Sequence, residues 1–376
     1  MDTIKDFKRQ FEGRKGIHFN SAGQSPVSRL AAERAREVVQ MQEESGSLAD
    51  PVLIAGADRA RQRLADFLGA RKEDAGFAPN VASALSQAAL GFPLRSGDEV
   101  VTIDQEYASS YYPWAVACER SGAVLRVFSS GPDGRVDLDA FLGFIRPGTR
   151  VVAVSWVQFQ TGAILDLERV GAHCRSIGAA FVVDGIQGLG QLPFSLHELP
   201  VDFIAGAAHK WMGSLVGQGF FAGTPEFLSK LSPVTIGAGT FGRWGTFGNP
   251  GQKMDATSRR FEPGGLAFAP LFALDSAIGL LQATGAAAIE TEIRRLSARL
   301  RSGLQELGVH LATPVGQRGG ATSVRLESRV EARFLERCRD EKIALSKRGE
   351  FVRFSLHAYC LDPEIDRVLG ILKESL

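Results

Sequence analysis

The chain has 376 residues, too many for one small hydrophobic core, so two domains are expected. Its 43 basic and 42 acidic side chains leave a net charge of +1, which gives no long-range attraction to nucleic acid or to an anionic membrane, and neither is expected as a partner. The first residues are charged without the apolar core of a signal peptide, and no stretch reaches the length of an apolar membrane span, so a cytoplasmic protein is expected.

In chain order, the first clear element is a helix over 59–69, with Leu64, Phe67 and Leu68 on one face and Gly69 as its stop. A short strand at 76–78 and a helix beginning near Ala84 follow. Apolar runs then recur at 99–103, 123–128, 151–156, 180–183, 201–205 and 219–222, with helical stretches such as 167–177 between several of them. Continuous apolar strands alternating with helices predict a mostly parallel sheet covered on both faces, a doubly wound α/β domain. Residues 233–266 are rich in glycine, threonine and arginine without sustained periodicity, the texture of a functional or interface loop. Beyond them Ile289, Ile293, Leu296, Leu300, Leu304 and Leu307 keep helical spacing. A strand at 322–326, a helix at 333–342, a strand at 351–356 and a closing helix with Asp362 as N-cap and Pro363 at its first position complete a smaller α+β unit. The expected division is 20–264 for the large domain and 1–19 plus 265–376 for the small one.

Chemistry concentrates at two strand ends. Asp184 closes the run Phe181-Val182-Val183, at the edge where open α/β sheets bind ligands. Lys210 follows the next run, beside Ala205, Gly206, Ala207 and Ala208, which leave room for a ring. A lysine amine and a carboxylate from neighbouring strand ends suit pyridoxal phosphate, one group for its aldehyde and one for its ring nitrogen. Burial makes the amine easier to deprotonate and so a competent nucleophile. Gln187 can reach the same cofactor's phenolic oxygen.

The order Asp184-x-x-Gln187, Asp202-Phe203, His209-Lys210, Gly217-x-Gly219 resembles the class V aminotransferase family, the cysteine desulfurase-like branch of fold-type I pyridoxal phosphate enzymes. Further similar segments are Phe19-Asn20-Ser21-Ala22-Gly23, Glu106-Tyr107 ahead of Pro113-Trp114, Arg260-Phe261-Glu262-x-Gly264, and Arg353-Phe354-Ser355-x-His357-x-Tyr359. The resemblance implies a fold-type I transferase with a large doubly wound, mixed but mostly parallel sheet domain and a smaller α+β C-terminal domain. It implies Lys210 as Schiff-base lysine and proton carrier, Asp184 at the pyridine nitrogen, Gln187 at the phenolic oxygen and Tyr107 stacked on the ring, with Trp114 as rival for that place. His209 and the Asn80-Val81-Ala82-Ser83 loop would hold the phosphate. Arg353 would bind the substrate carboxylate with two parallel donors, with Arg348 as fallback.

Three positions depart from the family pattern: Ala82 or Ser83 stands for a loop threonine, Ala207 for a serine, and Gly264-Gly265 for a Gly-Thr reaching in from a partner subunit. Ser83, Thr257, Ser258 and Arg259 are the candidate replacements. The four cysteines, Cys118, Cys174, Cys338 and Cys360, form no CxxC pair, so neither a metal site nor a disulfide framework is suggested, and none lies on the stretch 346–353 before Arg353. Desulfurase chemistry is therefore not expected. The segment Ser155 to Gly162 is similar to the isopenicillin N epimerase-like branch and its related C–S lyases. The leading expectation is an aminotransferase-like enzyme on a small α-amino acid, with a lyase or epimerase, and then a non-catalytic binding protein, as alternatives. A homodimer with shared sites is expected, with specificity set near Asn20, Gln24, Gln158 and Arg243.

Overall fold

The computed structural model describes residues 3–131, 134–242 and 251–376; Arg243 lies outside the described residues. Seven strands form the central sheet, in the order Ala75–Ala78, Gly219–Gly223, Phe203–Ala207, Ala180–Asp184, Thr149–Ser155, Glu99–Ile103, Val124–Phe128. The last five of these pair in parallel, whereas Gly219–Gly223 runs antiparallel to both its neighbours. The sequence expectation of a doubly wound, mostly parallel sheet is met.

Side-chain alternation explains why both faces are covered. Val152, Val154, Phe181, Val183 and Ile204 enter one buried cluster, together with Leu64, Leu68 and Val170 of flanking helices. Val151, Ala153, Val182, Phe203 and Ala205 enter another, with Leu85 and Ala88 of the Val81–Gly91 helix and Trp114 and Ala117 of the Ala108–Ser121 helix. A strand apolar on both sides can lie only between two helical layers.

The carboxyl-terminal part builds a four-stranded antiparallel sheet in the order Ser346–Arg348, Phe351–Ser355, Ala321–Arg325, His310–Leu311. The helices Ala286–Glu306, Ser328–Asp340 and Asp362–Lys373 supply apolar faces to the first cluster, which runs from Phe7 to Leu372. Asn20 bridges to Ser355, so the N-terminal segment is stitched to this sheet.

Several boundaries differ from expectation. The helix read at 59–69 starts at Asp50, although it ends as expected at Gly69, in the left-handed region at φ 61°. The helix read from Ala84 starts at Val81, because the Asn80 side chain caps it by accepting from the Ser83 N–H at 2.9 Å. The closing helix is capped at Leu361, whose N–H donates to Glu364, while Asp362 lies inside the helix and binds Arg295. Among the helices not read from the sequence are Arg29–Ser45 and Phe268–Thr284. The second has no polar face to announce it, since Leu271, Phe272, Ala273, Leu274, Ala277, Ile278 and Leu281 are all buried. Among the described residues no single helix is long and apolar enough to cross a membrane.

The 251–266 segment is fixed by a buried ion pair. Arg61 donates to both carboxylate oxygens of Glu262, at 2.6 and 2.7 Å, while Glu262 also accepts from the Phe77 N–H at 2.8 Å. Arg61 and Glu262 are 3% and 9% exposed, so removing either partner strands a charge away from water. Glu262→Ala is expected to lower unfolding stability by about 3–5 kcal/mol, measured by urea titration; a loss below about 1 kcal/mol would show the pair to be no better than a surface one.

Candidate active site

Strand pairing sets the geometry. Asp184 is the last residue of its strand and is paired with Ala205 of the next, so the turn after Ala207 delivers Lys210 to the same edge of the sheet. The Asp184 carboxylate is buried. It accepts from Ser110 Oγ at 2.6 Å and from the Ile186 N–H at 3.0 Å. Burial pushes its pKa up, against the pull of those two hydrogen bonds and of Lys210. Ser110 was not singled out from the sequence; its signal was a hydroxyl in the first turn of the helix that follows Tyr107.

The Lys210 amine is brought down from 10.5 to about 8, chiefly by burial, with Asp184 opposing and Arg353 and Arg348 reinforcing the fall. Its Nζ lies 5.8 Å from the centre of the Tyr107 ring. That ring is 47% exposed and rests edge-on against Phe159, leaving a face free to cover a planar ligand. Trp114, the rival for that place, is 1% exposed and packed in the core, so it has no free face. His209 is brought down to about 4 by burial and by Lys210, and is a neutral imidazole at pH 7.

Gln187 is held firmly. Trp211 Nε1 can only donate, so the amide oxygen must face it, at 2.8 Å, and Nε2 donates to the Ala22 carbonyl at 3.0 Å. One amide hydrogen is left over. Glu106, just before Tyr107, accepts from the Ser155 N–H at 2.7 Å, from Ser155 Oγ, and from Gln158 Nε2 at 3.3 Å. Burial lifts Glu106 to about 7, assisted by the nearby charge of Asp184.

On the opposite side stands Arg353, 1% exposed. One of its terminal nitrogens, Nη1, donates to the Phe159 carbonyl, while Nε and Nη2 have no partner. Burial lowers its pKa to about 9, with Arg348 adding to the fall. Ser346 pairs with Arg353 across two antiparallel strands, so Arg348, two residues on, shares the face of Arg353 as its diagonal neighbour. Asn20 Oδ1, Gln158 Oε1 and Ser355 Oγ are likewise buried without partners. Native interiors rarely leave such groups unpaired, and a gathering of them marks a place for a polar ligand.

The phosphate-loop residues sit at a helix start. Ala82 and Ser83 occupy the first turn of Val81–Gly91, and Ser83 Oγ donates to Asn80 Oδ1 at 3.1 Å. With Gln218, Gly264 and Gly265 of the same chain they line a cavity of about 710 Å³. The other candidate replacements are engaged elsewhere: Thr257 Oγ1 donates to Asp255, Ser258 Oγ to the Ala75 carbonyl, and Arg259 pairs with Asp58. All three thus have partners within the chain.

Residues 35–368 match the family model described as aminotransferase class-V. The chain is 30% identical over 340 residues to isopenicillin N epimerase of Amycolatopsis lactamdurans, covering 84% of each. It is 27% identical over 334 residues to a probable cysteine desulfurase of Pyrococcus abyssi, covering 84% of this chain and 82% of that one. Among solved structures, a C-DES mutant with glycine covalently linked to the PLP cofactor superimposes with a TM-score of 0.91 at 24% identity, over 98% of this chain and 99% of that one.

Because the folded chain holds Lys210 near 8 and the unfolded chain near 10.5, the unfolded state binds the extra proton across that window. The stability of ligand-free protein is therefore expected to rise with pH between those two values, and Lys210→Met to flatten the rise. Denaturant midpoints measured across the window on both proteins check this; equal slopes would show that the amine is not shifted.

Proposed function

The chain belongs to the aminotransferase class-V family and is a pyridoxal phosphate enzyme, and from that premise we propose that it acts on a small α-amino acid, removing the proton at the α-carbon with Lys210. The observation that carries this reading is the buried guanidinium of Arg353, with two nitrogens unpaired and its charge felt at the Lys210 amine. A buried cation without a partner is costly, and a carboxylate with two acceptor oxygens relieves that cost.

The donor set fits the cofactor. Asp184 is a buried carboxylate able to face a protonated ring nitrogen, Gln187 keeps one N–H for an oxygen, Tyr107 offers a free face, and His209 with the Val81–Gly91 helix start can meet a phosphate. Gly265 lines the cavity at that helix start within its own chain, and a homodimer with shared sites belongs to the same reading. When bound, pyridoxal phosphate supplies an aldehyde for the substrate's amino group and a sink for the electrons released at the α-carbon. Arg353, with Asn20 and Gln158 beside it, holds and orients the substrate. Lys210, neutral above about pH 8, takes the proton and returns it. The unit boundaries at 20–264 and 1–19 plus 265–376 belong to the same reading.

Transamination, the leading expectation from the sequence, requires no proton carrier beyond Lys210, but the activities named for the relatives are others. Epimerisation, or elimination by a C–S lyase route, uses the same residues, and the epimerases of two organisms at 30% identity favour it as the second reading. Sulfur transfer through a protein thiol is not proposed. All four cysteines are buried, and burial pushes Cys360, the one nearest Arg353 in sequence, up to about 12, so no thiolate is at hand to take a sulfur atom.

Arg353→Met is expected to raise KM for amino acids roughly 100-fold while the protein retains its cofactor absorbance, and Lys210→Ala to abolish turnover. Mixing the holoenzyme with an amino-acid panel and assaying keto acid, ammonia and inverted α-carbon separates transfer, elimination and epimerisation. Unchanged KM in Arg353→Met would overturn the carboxylate assignment.

A further inference from the structure

Gln158 is 3% exposed and sits between two groups of the site. Its Nε2 is drawn to Glu106 Oε1 at 3.3 Å, and the next residue's carbonyl accepts from Arg353. The backbone is equally fixed: the Gln158 N–H donates to the Ala163 carbonyl at 2.8 Å and its carbonyl accepts from the Gly162 N–H at 2.9 Å. Glu106 Oε1 already accepts the Ser155 N–H and so carries no proton, any proton of this carboxyl lying on Oε2 toward Ser155 Oγ, so the amide of Gln158 must turn its nitrogen toward Oε1. The oxygen is thereby fixed on the other side, where it is buried and finds no donor in the protein. Such an acceptor disfavours an apolar neighbour and favours a group that donates.

Resting on the proposed amino-acid reading, we propose that Gln158 is a specificity residue, held by Glu106 as a positioning residue, and that it selects substrates whose side chain donates a hydrogen bond. The α-amino group is engaged at the cofactor's aldehyde and the carboxylate at Arg353, and a carboxylate has no proton to give. The donor must therefore come from the side chain, as a hydroxyl, thiol or amine. The logic is the asymmetric one of polar pockets: a site built to receive a donor rejects the isostere that lacks it more firmly than an apolar pocket rejects an added hydroxyl.

The test uses the holoenzyme and matched pairs of amino acids, serine against 2-aminobutyrate and homoserine against norvaline, with dissociation constants read from the change in cofactor absorbance on mixing. The wild type is expected to bind the donor of each pair about tenfold or more tightly than its isostere. In Gln158→Met the ratio falls to about one, and in Glu106→Gln, whose amide can itself donate and let Gln158 turn over, the preference is likewise lost. Amino acids that bind with equal affinity within each wild-type pair would overturn the inference and leave the amino-acid reading intact, as would a preference that survives in Gln158→Met. Absence of any absorbance response to amino acids would overturn both. The wild-type ratio requires no variant, so a misfolded mutant does not shield the proposal.

Discussion

Two charged groups, the Asp184 carboxylate and the Lys210 amine, share the carboxyl-terminal edge of the parallel sheet, and each is there at a cost that the other offsets. The register that pairs Asp184 with Ala205 fixes the strand end after which Lys210 turns. Burial pushes the carboxylate's pKa up and the amine's down, each toward its neutral form. Ser110 and the Ile186 N–H hold the first toward its charged form, and the attraction of Asp184 holds the second at about 8. Under the proposed reading the lysine is thus poised between two roles, as a nucleophile and as a carrier of protons, within reach of ordinary pH.

The second constraint is mechanical. Arg353 belongs to the antiparallel sheet and Lys210 follows a strand of the central one, so their separation depends on how the two parts are joined. The loop after the Thr149–Ser155 strand supplies the seam. Its Phe159 carbonyl accepts from Arg353, its Gln160 carbonyl from Ser323 Oγ, and its Thr161 carbonyl from Thr313 Oγ1 at 2.7 Å. Three successive backbone acceptors therefore tie the antiparallel sheet and its neighbouring segment to the strand beside Asp184. The same loop carries Gln158, so the residue proposed to select the substrate lies on the seam itself.

What the sequence made legible follows from how local each signal is. Continuous apolar runs are local, and every strand of the central sheet lies within two residues of where its run was read. Asp184 and Lys210 were readable because strand ends declare themselves. The partners that tune them were not, since Ser110 reaches Asp184 across 74 residues and Glu106 reaches Ser155 across 49, distances over which one sequence shows no pairing. The Phe268–Thr284 helix was missed for the opposite reason, being so uniformly apolar that periodicity vanishes. Thr257, Ser258 and Arg259 looked like free anion ligands only because their own acceptors, Asp255, Ala75 and Asp58, could not be assigned from order alone.

The phosphate side of the site shows how a chain can lose side-chain donors and keep a place for an anion. Ala82, Ala207 and Gly265 offer no hydroxyl, and Ser83 turns its own toward Asn80. What remains is backbone: a helix start whose first N–H groups have no partner within the helix, capped so that Asn80 consumes the Ser83 N–H and leaves those of Val81 and Ala82 to point outward. Gly219 is part of the same arrangement, since a Cβ there would stand 2.4 Å from the Asn80 carbonyl carbon, so the antiparallel strand can lie against the cap only as glycine. A neutral His209 adds one side-chain nitrogen but no charge. Under the proposed reading the anion is then held by oriented dipoles more than by side-chain hydroxyls, which makes the position of the helix start, and the glycine that lets a strand approach it, the feature on which cofactor retention turns.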